Sequence, residues 1–211
     1  MPSRTTADHG PIRFGYHGSS TLVRSLIRDV GFDDTGFLLR EYDVMDPFRA
    51  LRAGELDVMS VKFRVDEPDL AVSPVLAYDA RAAVVAAGHP LAGRESVSIE
   101  ELADYEAFDR PGRMPAYVWD EVVPPRTPSG RPIRRSHQVS TIAEMMRLVA
   151  GSTAVHISLA SLAEVAPPQV AIVPIHDLPS APVAVAWRRA EPLTERVRAF
   201  VESVRRGDGE R

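Results

Sequence analysis

Before it reaches residue 62 the chain passes three times through a short strand pattern, with helical spacing between the strands. "PIRFGY" (11–16) reads as a strand, and Gly18-Ser19-Ser20 then opens a helix. That helix carries Leu22, Val23, Leu26, Ile27 and Val30 on one face, and Gly31 stops it. "GFLLREY" is a second strand, followed by Asp46-Pro47, an N-cap aspartate with proline at the first helical position, and Gly54 closes this short helix after Leu51. "LDVMSV" (56–61) is nearly continuous in apolar residues, as in a parallel strand covered on both faces. Strands joined through helices imply a parallel βαβ sheet, which fixes the class of this half of the chain as α/β.

The pattern changes at residues 69–88, where two extended segments follow each other without a helix. Within "DARAAVVAAGHPLAGRESVSIEELADYEAF" (79–108) a buried strand runs into a His89-Pro90 stop, and Ser98 and Glu101 form a capping box for the next helix. A second α/β series comes after it. "EAF" is a strand, "AYVWDEVV" (116–123) a helix and "RRSHQVS" a strand. Thr141 and Glu144 cap a helix that buries Ile142, Met145, Met146 and Val149. "AVHISLA" and "VAIVPI" complete the series, "APVAVAWRR" returns as a strand, and Thr194 caps a last amphipathic helix. Residues 1–10 are expected to be a disordered tail and 207–211 a frayed one.

Composition narrows the function classes. Of the 211 residues 45% are hydrophobic, enough for a sizeable core, yet no apolar run nears the roughly 20 residues that span a bilayer. "MPSRTTADHG" has no apolar segment behind its charges, so no secretory signal is read there and a cytoplasmic, membrane-free protein is expected. With no cysteine, disulfides and thiolate chemistry fall away. A formal net charge of -4 gives no electrostatic reason to expect nucleic acid on this chain. The cluster Arg131, Arg134 and Arg135 reads as a solvated loop beside Pro and Gly.

"LRAGELDVMSV" followed by "PVLAYDARAAVVAAGHPLAGRESVSIEELADYEAF" resembles the effector-binding domain of LysR-type transcriptional regulators. The resemblance rests on Leu51, Gly54, Leu56-Asp57, His89 to Ala92 and Leu102-Ala103-Asp104, in that order and spacing, with "IRFGYHGSS" and "PLTERVRAFVESVRR" at the two ends. It implies two Rossmann-like lobes joined by two crossover strands, a periplasmic-binding-protein-like fold of type 2. Lobe I would hold 11–84 and 185–206, and lobe II 88–180. "RAAVVAAG" would be the outgoing crossover and "PVAVAW" the return. The resemblance further implies a small-molecule effector, a homodimer, no cofactor, and DNA contact only through a domain absent from this chain. Where the family carries Gly-x-Gly and a later proline, this sequence has Gly151-Ser152-Thr153 and Ser158.

Ligands of open α/β sheets sit beyond the carboxyl ends of the strands, where helix N-termini point. His17, Gly18, Ser19 and Ser20 in one lobe and Ser140 and Thr141 in the other would face each other there, a pairing suited to a carboxylate. Plain N-capping is the competing reading of each serine or threonine. Lys62, Phe63 and Arg64 follow the third strand, Arg110 follows "EAF", and Ser158 lies in the departing loop; these complete the candidate ligand set. Tyr16 and Phe108 read as packing. Glu41 and Asp43 read as a solvated strand face. The six histidines show no metal spacing, and no nucleophile elbow, P-loop or dinucleotide turn is present. The rival reading is an enzyme that reuses the two-lobe fold, with His17, His137 and His156 as its only candidate acid–base groups.

Overall fold

The structure, a computed structural model, describes residues 10–190 and 192–206, so most of the two terminal tails lies outside the described residues. The first sheet is built from β1 (Ile12–Tyr16), β2 (Phe37–Glu41), β3 (Val58–Lys62), β4 (Leu70–Val72), β5 (Ala77–Asp79) and β11 (Ala181–Arg188). Its order is β2-β1-β3-β11-β4, with β5 also on β11. β1 pairs in parallel with β2 and β3, as the strand–helix alternation requires, whereas β11 returns antiparallel to β3, β4 and β5.

The second sheet is antiparallel, with β6 (Arg81–Ala86) between β10 (Val170–Pro174) and β9 (His156–Leu159). Beside it β7 (Glu106–Phe108) and β8 (Arg134–His137) form a parallel pair, tied to the rest by Val155 N–H donating to the Glu106 carbonyl at 2.9 Å. The helices are α1 (Ser20–Asp29), α2 (Arg49–Arg52), α3 (Ile99–Leu102), α4 (Ala116–Val122), α5 (Ile142–Ala150) and α6 (Glu195–Arg206). The architecture is the periplasmic-binding-protein-like, type 2 arrangement of two α/β units.

Each sheet has its own core. On one face of the first sheet Phe14, Phe37 and Phe200 meet edge to face, Phe200 coming from α6. On the other face Leu51, Leu56 and Met59 are fully buried. The second core gathers Val84, Leu102, Phe108, Val149 and Ile157 around β6 and β9. Local signals explain the element ends: Ser19 caps α1, Gly31 leaves it at φ 86°, and the Ser98–Glu101 capping box starts α3. The His-Pro stop is a turn in which the buried His89 ring accepts from Leu91 N–H at 3.2 Å and packs on Tyr105.

Two expectations change. The crossing between sheets is not made by "RAAVVAAG", because β6 lies wholly in the second sheet and β5 in the first; a single residue, Ala80, separates them. "PVAVAW" likewise lies inside the first sheet, and the return crossing falls at residues 175–180. Nor does Asp46 cap a helix: α2 starts at Arg49 after Phe48 without any side-chain cap, and the Asp46 carboxylate faces Arg113 at 3.5 Å. Two turn residues, Pro47 and Phe48, intervene, so the Asp-Pro pair shapes the turn instead.

The two sheet units close on each other at several points. Tyr117 on α4 accepts from Asp66 N–H at 2.9 Å and donates to Glu67 at 2.8 Å. Arg113 N–H donates to the Met45 carbonyl at 2.5 Å. The approach is so close that a Cβ on Gly112, at φ +44°, would sit 2.5 Å from that same carbonyl oxygen.

Candidate functional site

The cleft between the sheets is built from strand ends. β1 ends at Tyr16; His17 follows, its ring stacked on Tyr42 with centroids 5.6 Å apart. Gly18 then turns at φ +79°, a conformation that favours glycine, and delivers Ser19 to the cap of α1. The Ser19 hydroxyl accepts from Leu22 N–H at 3.0 Å.

That helix start already holds a carboxylate. Glu164, at the end of a 3-10 turn (Ala160–Glu164) from the second unit, accepts from the Ser19 hydroxyl at 2.5 Å, the Ser20 hydroxyl at 3.0 Å and Thr21 N–H at 3.2 Å. These donors, Ser19 first, hold the Glu164 carboxyl below its ordinary range. The α5 start is satisfied in the same way. Thr141 caps Glu144 N–H, and the Glu144 carboxylate accepts from both the backbone N–H and the hydroxyl of Ser140 at 2.8 Å. Both termini proposed as anion seats are therefore N-caps whose donors point at carboxylates of the chain itself.

Behind His17 lies an inner cavity of about 150 Å³, and in front of it the cleft opens into a space of about 980 Å³. His17, Tyr42 and Thr141 line both. Gly18, Ser20 and Ser140 line the mouth together with Glu41, Asp43 and Glu164. Lys62, Phe63 and Ser158 line the inner cavity. Ser19 is buried as a cap. Arg64 and Arg110 line neither space: Arg64 lies over Tyr117, and Arg110 donates to the Met114 carbonyl at 2.8 Å.

Lys62 is a cross-link between the units. Its ammonium donates to Asp79 at 2.9 Å and to the Ser161 hydroxyl at 3.0 Å, while Asp79, 6% exposed, also accepts from Ser161 N–H at 3.1 Å. Phe63 has a positive φ of 69°, which an L residue with a bulky side chain rarely adopts. Its buried ring packs with Leu159 and Ala181 and lies under the Arg81 guanidinium, 5.1 Å away. Arg81 is bound by the carbonyls of Glu121, Val122 and Ser158, and burial lowers its pKa to about 10.

Sequence reasoning missed three positions at the cleft. Glu164 and Asp79 look like ordinary surface and strand-end acids, and only the chain's return brings them to Ser19 and Lys62. Trp119 sits at core spacing on α4 and hides its role as cavity wall. Of the three histidines singled out, His137 lies outside the cavity, 3.2 Å from Glu106, while His17 and His156 line it. His156 packs against Phe108 and Trp119, and its Nδ1 has no hydrogen-bond partner. Burial pushes its pKa down to about 3, with His17 and Arg81 adding repulsion; burial lowers His17 too.

His156 gives a pH prediction. The unfolded imidazole titrates near 6.5 and the buried one near 3, so the unfolded chain takes up the proton first. Stability from this group is then complete above about pH 6.5 and falls by about 1.4 kcal/mol per unit below it. Denaturant titrations should show a loss from this residue of roughly 2–3 kcal/mol by about pH 4.5. His156→Phe should shrink the total acid loss by that amount; an unchanged loss refutes the assignment.

Comparisons with known proteins agree with the architecture. The family model described as "LysR substrate binding domain" matches residues 21–208. CbnR, a LysR family transcriptional regulator, superposes with TM-score 0.73 at 22% identity, covering 96% of this chain and 71% of that one. The effector-binding domain of QuiR in complex with shikimate superposes with TM-score 0.69 at 19% identity, covering 94% and 97%. OxyR of Corynebacterium glutamicum, in a mutant form, gives TM-score 0.67 at 17% identity, covering 97% and 65%. No curated protein matches the sequence. Among the described residues no helix is long and apolar enough to cross a membrane, and no cluster of metal-ligating side chains occurs. On the match to 21–208, the chain belongs to the LysR substrate-binding domain family.

Proposed function

We propose that this chain is the ligand-sensing unit of a LysR-type transcriptional regulator, holding a small-molecule effector in the cleft between its two sheets. The carrying observation is the partly open cavity at the strand ends, lined by both sheet units and bridged by contacts that run from one unit to the other. Shikimate in the related QuiR domain supports the same use of the fold. Effector binding would shift the balance between shut and open clefts and so alter the outer surface. By likeness to the family, that surface pairs with a second copy of the chain, in the cytoplasm, and DNA is reached through a separate domain.

Binding is favoured over catalysis by the state of the buried imidazoles. A general base needs a pKa near the working pH and a proton within hydrogen-bond reach. His156 has its pKa far below that, and no hydroxyl bonds to its Nδ1.

A carboxylate effector is the second reading, and Glu164 supports it: the α1 start accepts a carboxylate, with three donors in place. An effector carboxylate would have to displace Glu164. Glu164→Ala is therefore expected to strengthen binding of a carboxylate found by thermal-shift screening by roughly 3–10-fold, because the internal competitor is gone. Equal or weaker binding in the variant removes the carboxylate reading. A broad screen of neutral, anionic and cationic metabolites in which nothing binds the parent chain removes the sensing proposal itself.

A further inference from the structure

We propose that the inner cavity takes an uncharged, ring-sized apolar molecule bearing at most one hydrogen-bonding atom, such as a simple phenol. This rests on the sensing proposal and names the chemistry of its deepest pocket. The walls come from both units: Met59, Val61 and Phe63 from the first, Val118, Val122 and Met145 from the second. A mostly apolar cavity of about 150 Å³ is large enough to admit benzene.

The lining offers an anion no cation to pair with: Lys62 is already paired with Asp79, and the other charged side chain, Asp109, is itself a carboxylate that accepts from Arg110 N–H at 2.7 Å. A ligand carboxylate pushed inward would find no uncommitted cation there, and desolvating it would cost far more than the cavity returns. What the lining does offer is neutral nitrogen. Trp119 Nε1 and His156 Nδ1, both on cavity-lining rings more than nine-tenths buried, have no hydrogen-bond partner. Buried polar groups of this kind usually find one, so a small rearrangement onto a ligand hydroxyl would satisfy a donor now left bare. The mouth carries three acids, Glu41, Asp43 and Glu164, against one arginine, Arg147, a balance that favours neutral over anionic entry.

The test is titration calorimetry of the whole chain with phenol and with succinate at neutral pH. Phenol should bind with a dissociation constant in the millimolar range or below. Val122→Phe and Val139→Phe, each filling the cavity from a half-buried wall position, should weaken it at least tenfold. Leu38→Phe, on the far edge strand, should not. Two filling variants are used so that one misfolded protein, detected by its melting curve, does not decide the result. Phenol binding that survives both variants places the ligand elsewhere and overturns the proposal. So does binding of succinate alone, which would leave the sensing function standing with a polar, carboxylate-led site. Absence of phenol binding also overturns it, and the sensing proposal is then judged by its own broader screen.

Discussion

Phe200→Ala is expected to cost about 3–5 kcal/mol and to unfold the first sheet unit well before the second. Phe200 is fully buried, and three other phenylalanines meet its ring: Phe14 at 5.9 Å, Phe32 at 5.3 Å and Phe37 at 5.0 Å. Edge-to-face rings in such a group gain beyond their buried area, and α6 has few other large side chains with which to refill the space. The second core shares none of these residues. Denaturation followed at Trp187, in the first core, and at Trp119, in the second, should separate into two transitions in the variant. A loss under about 1 kcal/mol, or coincident transitions at every denaturant concentration, contradicts the expectation.

Asp79→Ala should be comparably severe, about 3–5 kcal/mol, for a different reason. The substitution leaves the Lys62 ammonium, whose side chain is only 18% exposed, without its carboxylate, and leaves Ser161 N–H without an acceptor. Most of this loss is the penalty for an uncompensated buried charge rather than the worth of the pair. Replacing both members, Lys62→Met with Asp79→Leu, should therefore recover more than half of it. A double variant as unstable as Asp79→Ala would mean that the pair itself carries the stability. Chemical denaturation of the three proteins decides between these outcomes.

The same two regions show what the sequence could reveal. The first α/β units were legible because their signals are local: Ser19 before an amphipathic face, Gly31 after it, and an unbroken apolar run for β3. The cap at Thr141 and the box at Ser98 and Glu101 were readable on the same grounds. The crossing at Ala80 was not, since the extended pattern continues from β5 into β6 with no turn signal between them. Hydrogen-bond partners change within that pattern, but side-chain periodicity does not.

For the site, the strand-end rule brought His17, Gly18, Ser20, Lys62, Phe63, Ser140, Thr141 and Ser158 to one cleft. It failed for Arg64 and Arg110, because a strand end fixes where a residue starts and not where a long side chain goes. It also could not reveal that the anion seats are filled from within, because Glu164 and Ser19 lie far apart in sequence.

The single residue between β5 and β6 bounds how this molecule can move. One residue contributes two soft torsions, with rigid amides on either side. Asp79 is held by β11 in the first sheet and Arg81 by β9 in the second, so neither neighbour can lend slack. The two halves thus meet at a pivot of almost no length, and the return through residues 175–180 runs beside it, with Ile175 N–H donating to the Arg81 carbonyl and Ala181 pairing with Asp79. Sliding of one sheet along the other is ruled out by that pin. What remains is a swing about an axis through Ala80, like a door hung on its jamb, widest at the edge farthest from the pin and smallest beside it.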